Sequence, residues 1–117
     1  MTKTEELDRL FNPSSLAIVG ASRDEHKSGG RFLKGLIESG FKGRLYPVNP
    51  RESEIFGLRN YRSVLDIPGE VDLAIITVPA QTVPEVMAEC SQKGVRFAIV
   101  HGAGFSELGA EGRKLEE

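Results

Sequence analysis

The sequence predicts an α/β fold: a doubly wound, mostly parallel, Rossmann-like sheet. Apolar, β-branched runs of the kind that is buried on both faces of a parallel sheet recur along the chain. They alternate with amphipathic segments that have helical spacing and end at glycine. Short loops join these segments, which favours parallel strands with right-handed crossovers. The length of 117 residues fits one compact domain.

The first predicted unit is a strand, a helix and a second strand. Ser15 to Ala21 is a near-continuous apolar run that ends in small residues, as a buried strand does. Gly30 to Ser39 carries four apolar residues at helical spacing and stops at Gly40. Arg44 to Val48 then forms a short strand before turn residues. Ahead of this unit, residues Thr2 to Leu10 have a helical pattern.

The same pattern repeats in the second half of the chain. Asp72 to Val78 predicts a buried strand, Val83 to Lys93 an amphipathic helix capped by Gly94, and Val95 to Val100 another strand. Between the two halves, Gly57 to Ile67 predicts a short strand and a helical turn.

The charge and cysteine content excludes several classes of protein. Fifteen Lys and Arg residues against 17 Asp and Glu residues give a net charge of −2, so we expect no nucleic-acid partner. No apolar run approaches the roughly 20 residues that cross a bilayer, and the charged start is not a signal peptide, so we expect a cytoplasmic protein without membrane contact. The single Cys90 is compatible with a reducing compartment, and its spacing from Val83, Val86 and Met87 predicts core packing.

The end of the chain has a different pattern. Gly109 to Glu117 begins a helical pattern and stops in charged residues without a cap. We therefore expect residues 1–117 to be the N-terminal part of a longer, multidomain polypeptide.

The ends of the predicted strands are the candidate site, because ligands of open parallel sheets bind at the carboxyl ends of the strands. The first strand runs into a loop with hydroxyls, cations and glycines ahead of the helix at Gly30, a suitable place for a diphosphate. The alternative is a plain glycine-rich connector. The glycines are too widely spaced for the GxGxxG fingerprint, and the loop lacks the Gly-Lys-Ser/Thr of a Walker A sequence.

Arg51 follows the second strand, where an NAD-binding domain would carry an acidic residue for the ribose hydroxyls. This difference disfavours NAD. An arginine there suits a phosphorylated ribose, as in the 2′-phosphate of NADP or the 3′-phosphate of coenzyme A (CoA). The alternative is an ordinary solvent-exposed arginine.

Four segments, in order along the chain, are shared with one known family. From about Leu10 onwards, the sequence resembles the N-terminal CoA-binding domain of NDP-forming (ADP-forming) acyl-CoA synthetases, which are related to the succinyl-CoA synthetase α subunit. The segments are Phe11 to Ser22 (FNPSSLAIVGAS), Gly43 to Pro50 (GRLYPVNP), Val64 to Pro68 (VLDIP) and Gly104 to Glu107 (GFSE).

The resemblance implies a single CoA-binding domain that holds CoA across the strand ends. The parent enzyme would be an acid–CoA ligase that interconverts acyl-CoA, ADP and phosphate with acid, CoA and ATP. Its phosphohistidine, ADP or ATP, and Mg²⁺ would belong to domains absent here, so no catalytic or metal-binding residue is assigned in this chain. The implied CoA-binding residues are Gly20, Ala21, Ser22, Lys27, Ser28, Gly29, Gly30, Val48, Asn49, Pro50, Arg51, Val78, Pro79 and Ala80.

Two residues near the end of the chain remain ambiguous. His101 lies where the family more often has an apolar residue followed by serine, and we expect a partly buried histidine at a strand end. Glu107 either orients the phosphohistidine segment of the parent enzyme or caps the helix that follows. His26 is expected to be a loop residue, and two isolated histidines make a weak case for a metal site.

Two other functions stay open at this point. One is a regulatory CoA-binding module, such as the synthetase-like part of a protein acetyltransferase. The other is an NADP-dependent oxidoreductase, which the missing glycine fingerprint makes the weaker alternative.

Overall fold

The computed structural model describes residues 2–101 and confirms the predicted fold, a parallel four-stranded sheet with helices on both faces. None of the helices in this range is long and apolar enough to span a membrane. The helices and strands, in chain order, are α1 (Lys3–Phe11), β1 (Ser15–Val19), α2 (Ser28–Glu38), β2 (Arg44–Val48), β3 (Glu54–Ile55), β4 (Leu58–Arg59), β5 (Leu73–Ile76), α3 (Val83–Lys93) and β6 (Phe97–Val100). Two short 3₁₀ turns add Val64–Asp66 and Ala80–Thr82.

The strand order β2-β1-β5-β6 places β1 in the interior of the sheet, between β2 and β5. All pairs in this sheet are parallel, and their register aligns Val19 with both Val48 and Ile76, and Ile76 with Val100. The chain leaves β1 towards β2 on one side and later returns to β5 on the other, so a topological switch point lies between β1 and β5. Ligands of doubly wound folds bind outside such a point.

Two hydrophobic layers hold the sheet. Strand residues alternate between the faces, so Ile18 packs towards Leu33 of α2, whereas Ile76 packs towards Val83 of α3. All four side chains are fully buried. Burial of each such side chain stabilises the fold by about 1.5 to 3 kcal/mol, and together they fix both helices against the sheet.

The predicted elements agree with the observed ones apart from their ends. The first strand stops at Val19, because Gly20 adopts a positive φ of 93° and begins the next loop. The last strand starts at Phe97 rather than Val95, since the α3 cap at Gly94 (φ 82°) is still turning the chain.

One element was not predicted. Strand β3 pairs with β4 in a two-residue antiparallel hairpin, whose turn residues Phe56 and Gly57 both have positive φ. The predicted Gly57 to Ile67 strand and turn correspond to β4 and the 3₁₀ turn. The predicted helix at 109–117 and the Gly104 to Glu107 loop lie outside the described residues.

Candidate functional site at the strand ends

A groove of about 570 Å³ lies at the carboxyl ends of β1, β2 and β5, on the α3 side of the sheet. This volume is in the range of small-molecule and cofactor sites. Half of the fourteen predicted residues line it: Gly20, Val48, Asn49, Pro50, Arg51, Val78 and Pro79. The other seven, which are Ala21, Ser22, Lys27, Ser28, Gly29, Gly30 and Ala80, do not.

The loop after β1 is tied to β2 through its backbone. The N–H groups of Gly20 and Ala21 both donate to the carbonyl oxygen of Val48, at 2.9 and 3.2 Å. The Ala21 side chain is fully buried against the α2 layer. The amides of both residues are therefore already occupied by the protein itself, and of the two only Gly20 lines the groove.

Glycine is required where α2 approaches this loop. A Cβ on Gly29 would lie 2.0 Å from the Gly20 carbonyl oxygen, and one on Gly30 would lie 2.2 Å from the Asp24 carbonyl oxygen. Gly20 itself is in close contact with Thr77 of the β5 end, whose hydroxyl donates to the Val19 carbonyl at 3.0 Å. The glycines thus bring the helix start directly onto the loop, the close helix–strand packing that one glycine of a dinucleotide fingerprint provides.

The first turn of α2 supplies unused amide donors. Its N-cap, Lys27, makes no side-chain cap bond, and within residues 2–101 the N–H groups of Ser28, Gly29 and Gly30 have no hydrogen-bond acceptor. These donors and the helix dipole favour an anion at this end of α2. The exposed Lys27 side chain adds a positive charge beside them.

The loop that precedes α2 is held in shape by short-range contacts. The Asp24 N–H donates to the Ser22 hydroxyl at 3.0 Å, and the His26 N–H donates to the Asp24 carboxylate at 2.9 Å. The Lys34 ammonium donates to Glu25 at 2.5 Å, and this bond lowers the pKa of Glu25 and raises that of Lys34. The Ser22 hydroxyl is consequently an acceptor within the loop, and His26 is an exposed loop residue as predicted.

Asn49 serves as a brace at the end of β2. Its side-chain amide donates to the Ala21 carbonyl at 2.8 Å, and its side-chain oxygen accepts from the Arg51 N–H, also at 2.8 Å. It thereby links the β1 and β2 loops, with its polar side-chain atoms engaged inside the protein. The Arg51 side chain remains exposed at the groove.

The opposite wall of the groove comes from the β5 end and α3. Val78 and Pro79 contribute apolar surface, and Thr82 follows them. Glu85 and Glu89 of α3 also line the groove, and Glu89 accepts a hydrogen bond from Ser63 at 2.8 Å. The groove is therefore asymmetric in charge, with carboxylates on the α3 wall and arginines on the β2 side.

Six residues that line the groove were not among the predicted site residues, and three of the six are charged: Arg62, Glu85 and Glu89. Arg62 reaches the site because Tyr61 forms a parallel bridge with Val48, which carries the following residue to the end of β2. The two glutamates are four residues apart, so they lie on the same face of α3, on successive turns. A helical wheel of residues 83–93 could have indicated the glutamates, whereas only the tertiary pairing shows Arg62.

The structure corrects two side-chain predictions. Cys90 packs with Val83 and Val86 as predicted, but Met87 is 38% exposed, because it faces away from the sheet. Burial raises the pKa of the Cys90 thiol to about 11, with a smaller contribution from Glu89. His101 is exposed rather than partly buried, and its ring makes an edge-to-face contact with the Phe32 ring, with centroids 5.1 Å apart.

No group of three histidine, cysteine or acidic side chains within residues 2–101 is arranged to hold a metal ion. The groups present at the strand ends are a groove, the amide donors of α2 and the arginines on the β2 side. Arginines and free amides are groups that suit a phosphorylated ligand.

Comparison with known proteins agrees with this chemistry. A family described as "CoA binding domain" matches residues 14–111. The chain is 51% identical over 111 residues to acetate–CoA ligase [ADP-forming] II of Archaeoglobus fulgidus, covering 95% of this chain and 16% of that protein. It is 50% identical over 115 residues to the α subunit of acetate–CoA ligase [ADP-forming] I of Pyrococcus furiosus, covering 95% of this chain and 25% of that subunit.

A solved structure shows the same fold. The dinucleotide-forming acetyl-coenzyme A synthetase 1 of Candidatus Korarchaeum cryptofilum, in complex with phosphate and ADP, superposes with a TM-score of 0.86 at 47% identity, covering 92% of this chain and 24% of that one. The chain thus spans a quarter or less of the length of these relatives. The predicted resemblance is confirmed over nearly the whole chain, and the protein belongs to the CoA-binding domain family.

Proposed function

We propose that this chain is the CoA platform of an ADP-forming acid–CoA ligase. The observation that carries the proposal is the groove at the topological switch point, which has arginines on one side and unused α2 amides beside it. Ligases that form ADP are the relatives with about 50% identity, which supports this function over a regulatory module.

The charge asymmetry of the groove sets the orientation of CoA. Its phosphates would be repelled by Glu85 and Glu89, so they lie towards Arg51 and the α2 N-terminus. The adenosine then lies between the Asn49-Pro50 turn and the Val78-Pro79 turn, where both walls are partly apolar. A carboxylate on the α3 wall accepts hydrogen bonds from the ribose hydroxyls or the adenine amine.

The residues predicted from the resemblance take different parts in this proposal. Gly20, Ala21, Gly29 and Gly30 shape the backbone, whereas Lys27 and the Ser28 N–H face the diphosphate. Val48, Asn49, Pro50, Val78, Pro79 and Ala80 form or support the nucleotide walls. The Arg51 guanidinium binds the 3′-phosphate, because its planar fork matches phosphate oxygens.

The ligase reaction is acyl-CoA + ADP + phosphate ⇌ acid + CoA + ATP. In this proposal the present chain binds and orients CoA. The translational and rotational entropy of the thiol is then lost on binding rather than in the reaction with the acyl group. The ADP, Mg²⁺ and phosphoryl transfer belong to the remaining domains or subunits of a longer cytoplasmic enzyme. The relatives' greater length and the subunit name of one of them support this division.

The test is calorimetric titration of the 117-residue chain with CoA, dephospho-CoA, NADP and ATP. We expect saturable binding of CoA in preference to NADP and ATP. Arg51→Ala is expected to weaken CoA by about 1 to 3 kcal/mol more than dephospho-CoA, since a charge-assisted bond is lost. Preference for NADP, or no CoA binding by either this chain or the full-length enzyme, would refute the proposal.

A further inference from the structure

Beside the groove lies a second concavity, which we call the arginine recess. It has a volume of about 610 Å³, and three arginines line it: Arg51, Arg59 and Arg62. Arg51 and Arg62 also line the groove, so the two spaces adjoin at the end of β2. Neither Arg59 nor Arg62 stood out in the sequence.

The recess carries an excess of positive charge. Within residues 2–101, none of the three guanidinium groups forms an ion pair. Two carboxylates are on its wall, but Glu52 is already paired with Arg23 at 3.0 Å, which leaves Asp66 against three arginines. Clustered guanidinium groups repel one another, and a bound phosphate relieves that repulsion through bidentate hydrogen bonds.

The segment that carries Arg59 and Arg62 is held rigidly. The Tyr61 N–H donates to the Pro47 carbonyl, and the Asn49 N–H donates to the Tyr61 carbonyl, both at 2.9 Å. The Arg59 guanidinium lies over the Tyr61 ring, 5.3 Å from its centroid. The backbone between the two arginines is thus paired to the end of β2, where Arg51 emerges.

The loop on the other side of the recess is clamped by Asn60, which is only 7% exposed. Its side-chain amide donates to the carbonyls of Asn49 and Glu52 at 2.7 and 2.6 Å, and its backbone N–H donates to Ser53 at 3.0 Å. These bonds hold the segment around Arg51 in register with β4. The recess is therefore formed before a ligand arrives, which lowers the entropic cost of binding.

We infer that the arginine recess binds the phosphomonoester of CoA, with Arg59 and Arg62 as residues that distinguish CoA from dephospho-CoA. The inference rests on the proposed placement of CoA in the groove. It extends the phosphate contact from Arg51 alone to a three-arginine site whose other two members come from a separate segment.

The experiment is calorimetric titration of the 117-residue chain and its variants with CoA, dephospho-CoA and inorganic phosphate. Arg59→Gln and Arg62→Gln are each expected to weaken CoA about tenfold, equivalent to about 1.4 kcal/mol, and dephospho-CoA less than twofold. Arg62→Lys is expected to recover only part of the loss, because lysine keeps the charge without the planar fork.

Arg44→Gln is the matched control, because it removes the same charge from an exposed residue at the amino end of β2, whereas the recess lies at the carboxyl end. It is expected to leave the ratio of CoA to dephospho-CoA affinity unchanged, which separates local contact from long-range attraction. Urea unfolding curves of all variants show whether a loss of affinity is caused by destabilisation of the fold.

The outcomes distinguish the two proposals. A wild-type chain that binds dephospho-CoA as tightly as CoA, or variants that weaken both ligands equally, would overturn the recess assignment and leave the CoA platform intact. A third outcome is that the arginine variants lose affinity for inorganic phosphate but keep the wild-type ratio of CoA affinity to dephospho-CoA affinity. The recess would then be an independent phosphate site, which also overturns the assignment. A wild-type chain and a full-length enzyme without CoA binding would refute the platform itself.

Discussion

Gly29 packs against the Gly20 carbonyl, so alanine at this position should have two opposing effects on stability. Helix propensity favours the alanine, whereas packing against the loop disfavours it. In an isolated helix, Gly→Ala stabilises by about 1 kcal/mol. At Gly29, however, the new Cβ would lie 2.0 Å from a backbone oxygen and 2.9 Å from Thr77 Oγ1. Since a Cβ essentially never lies within 3.0 Å of a non-bonded atom, the helix start must move by about 1 Å.

The size of the effect follows from that displacement. Overpacking of this kind costs up to about 3 kcal/mol, so after the gain in helix propensity we expect Gly29→Ala to be destabilised by about 2 kcal/mol. Gly35 lies in the same helix, but beyond the helix's own backbone nothing lies within 4 Å of where a Cβ would be, so we expect Gly35→Ala to stabilise the fold by about 0.5 to 1 kcal/mol. The two substitutions are thus expected to change the free energy of unfolding in opposite directions, although both lie in one helix.

Urea unfolding followed by far-ultraviolet circular dichroism measures both variants. For a slope of about 2 kcal/mol/M, the midpoint of Gly29→Ala is expected about 1 M below that of the wild type. Gly29→Ala should also lose at least tenfold in CoA affinity, because the α2 amides move, while Gly35→Ala retains it. A Gly29→Ala midpoint equal to or above the wild-type value would show that α2 does not pack on the Gly20 carbonyl.

Two further predictions concern buried polar groups. Burial raises the pKa of Cys90 to about 11 from an ordinary value of 9.0, which lowers the thiolate population at pH 8 roughly 100-fold. Alkylation by iodoacetamide should therefore be slow until urea unfolds the chain. Rapid alkylation of the folded protein would contradict this prediction. Asn60→Ala should destabilise the fold by about 2 to 3 kcal/mol, because two loop carbonyls lose their donor, whereas Asn12→Ala, at an exposed hydrogen bond to Asp8, should change the free energy of unfolding by less than about 1 kcal/mol. Equal urea midpoints for these two variants would contradict the clamp.

Local periodicity explains why so much of the fold was predictable. The buried runs at β1 and β5 and the apolar stripes of α2 and α3 each carry their own signal, since a strand repeats every two residues and a helix every 3.6. Given such elements in alternation, the parallel sheet and its ligand-binding edge follow from general rules of chain topology. The four family segments added the identity of the ligand, which no periodicity contains.

The sequence by itself therefore determined the α/β class, the family and the edge of the sheet at which the groove lies. Only the tertiary structure decided which groups are available there. The amides of Gly20 and Ala21 are occupied by a carbonyl from β2, and Arg62 joins the site through a strand bridge. Hydrogen-bond partners and side-chain neighbours depend on pairing between residues far apart in the chain. A local sequence pattern does not determine that pairing.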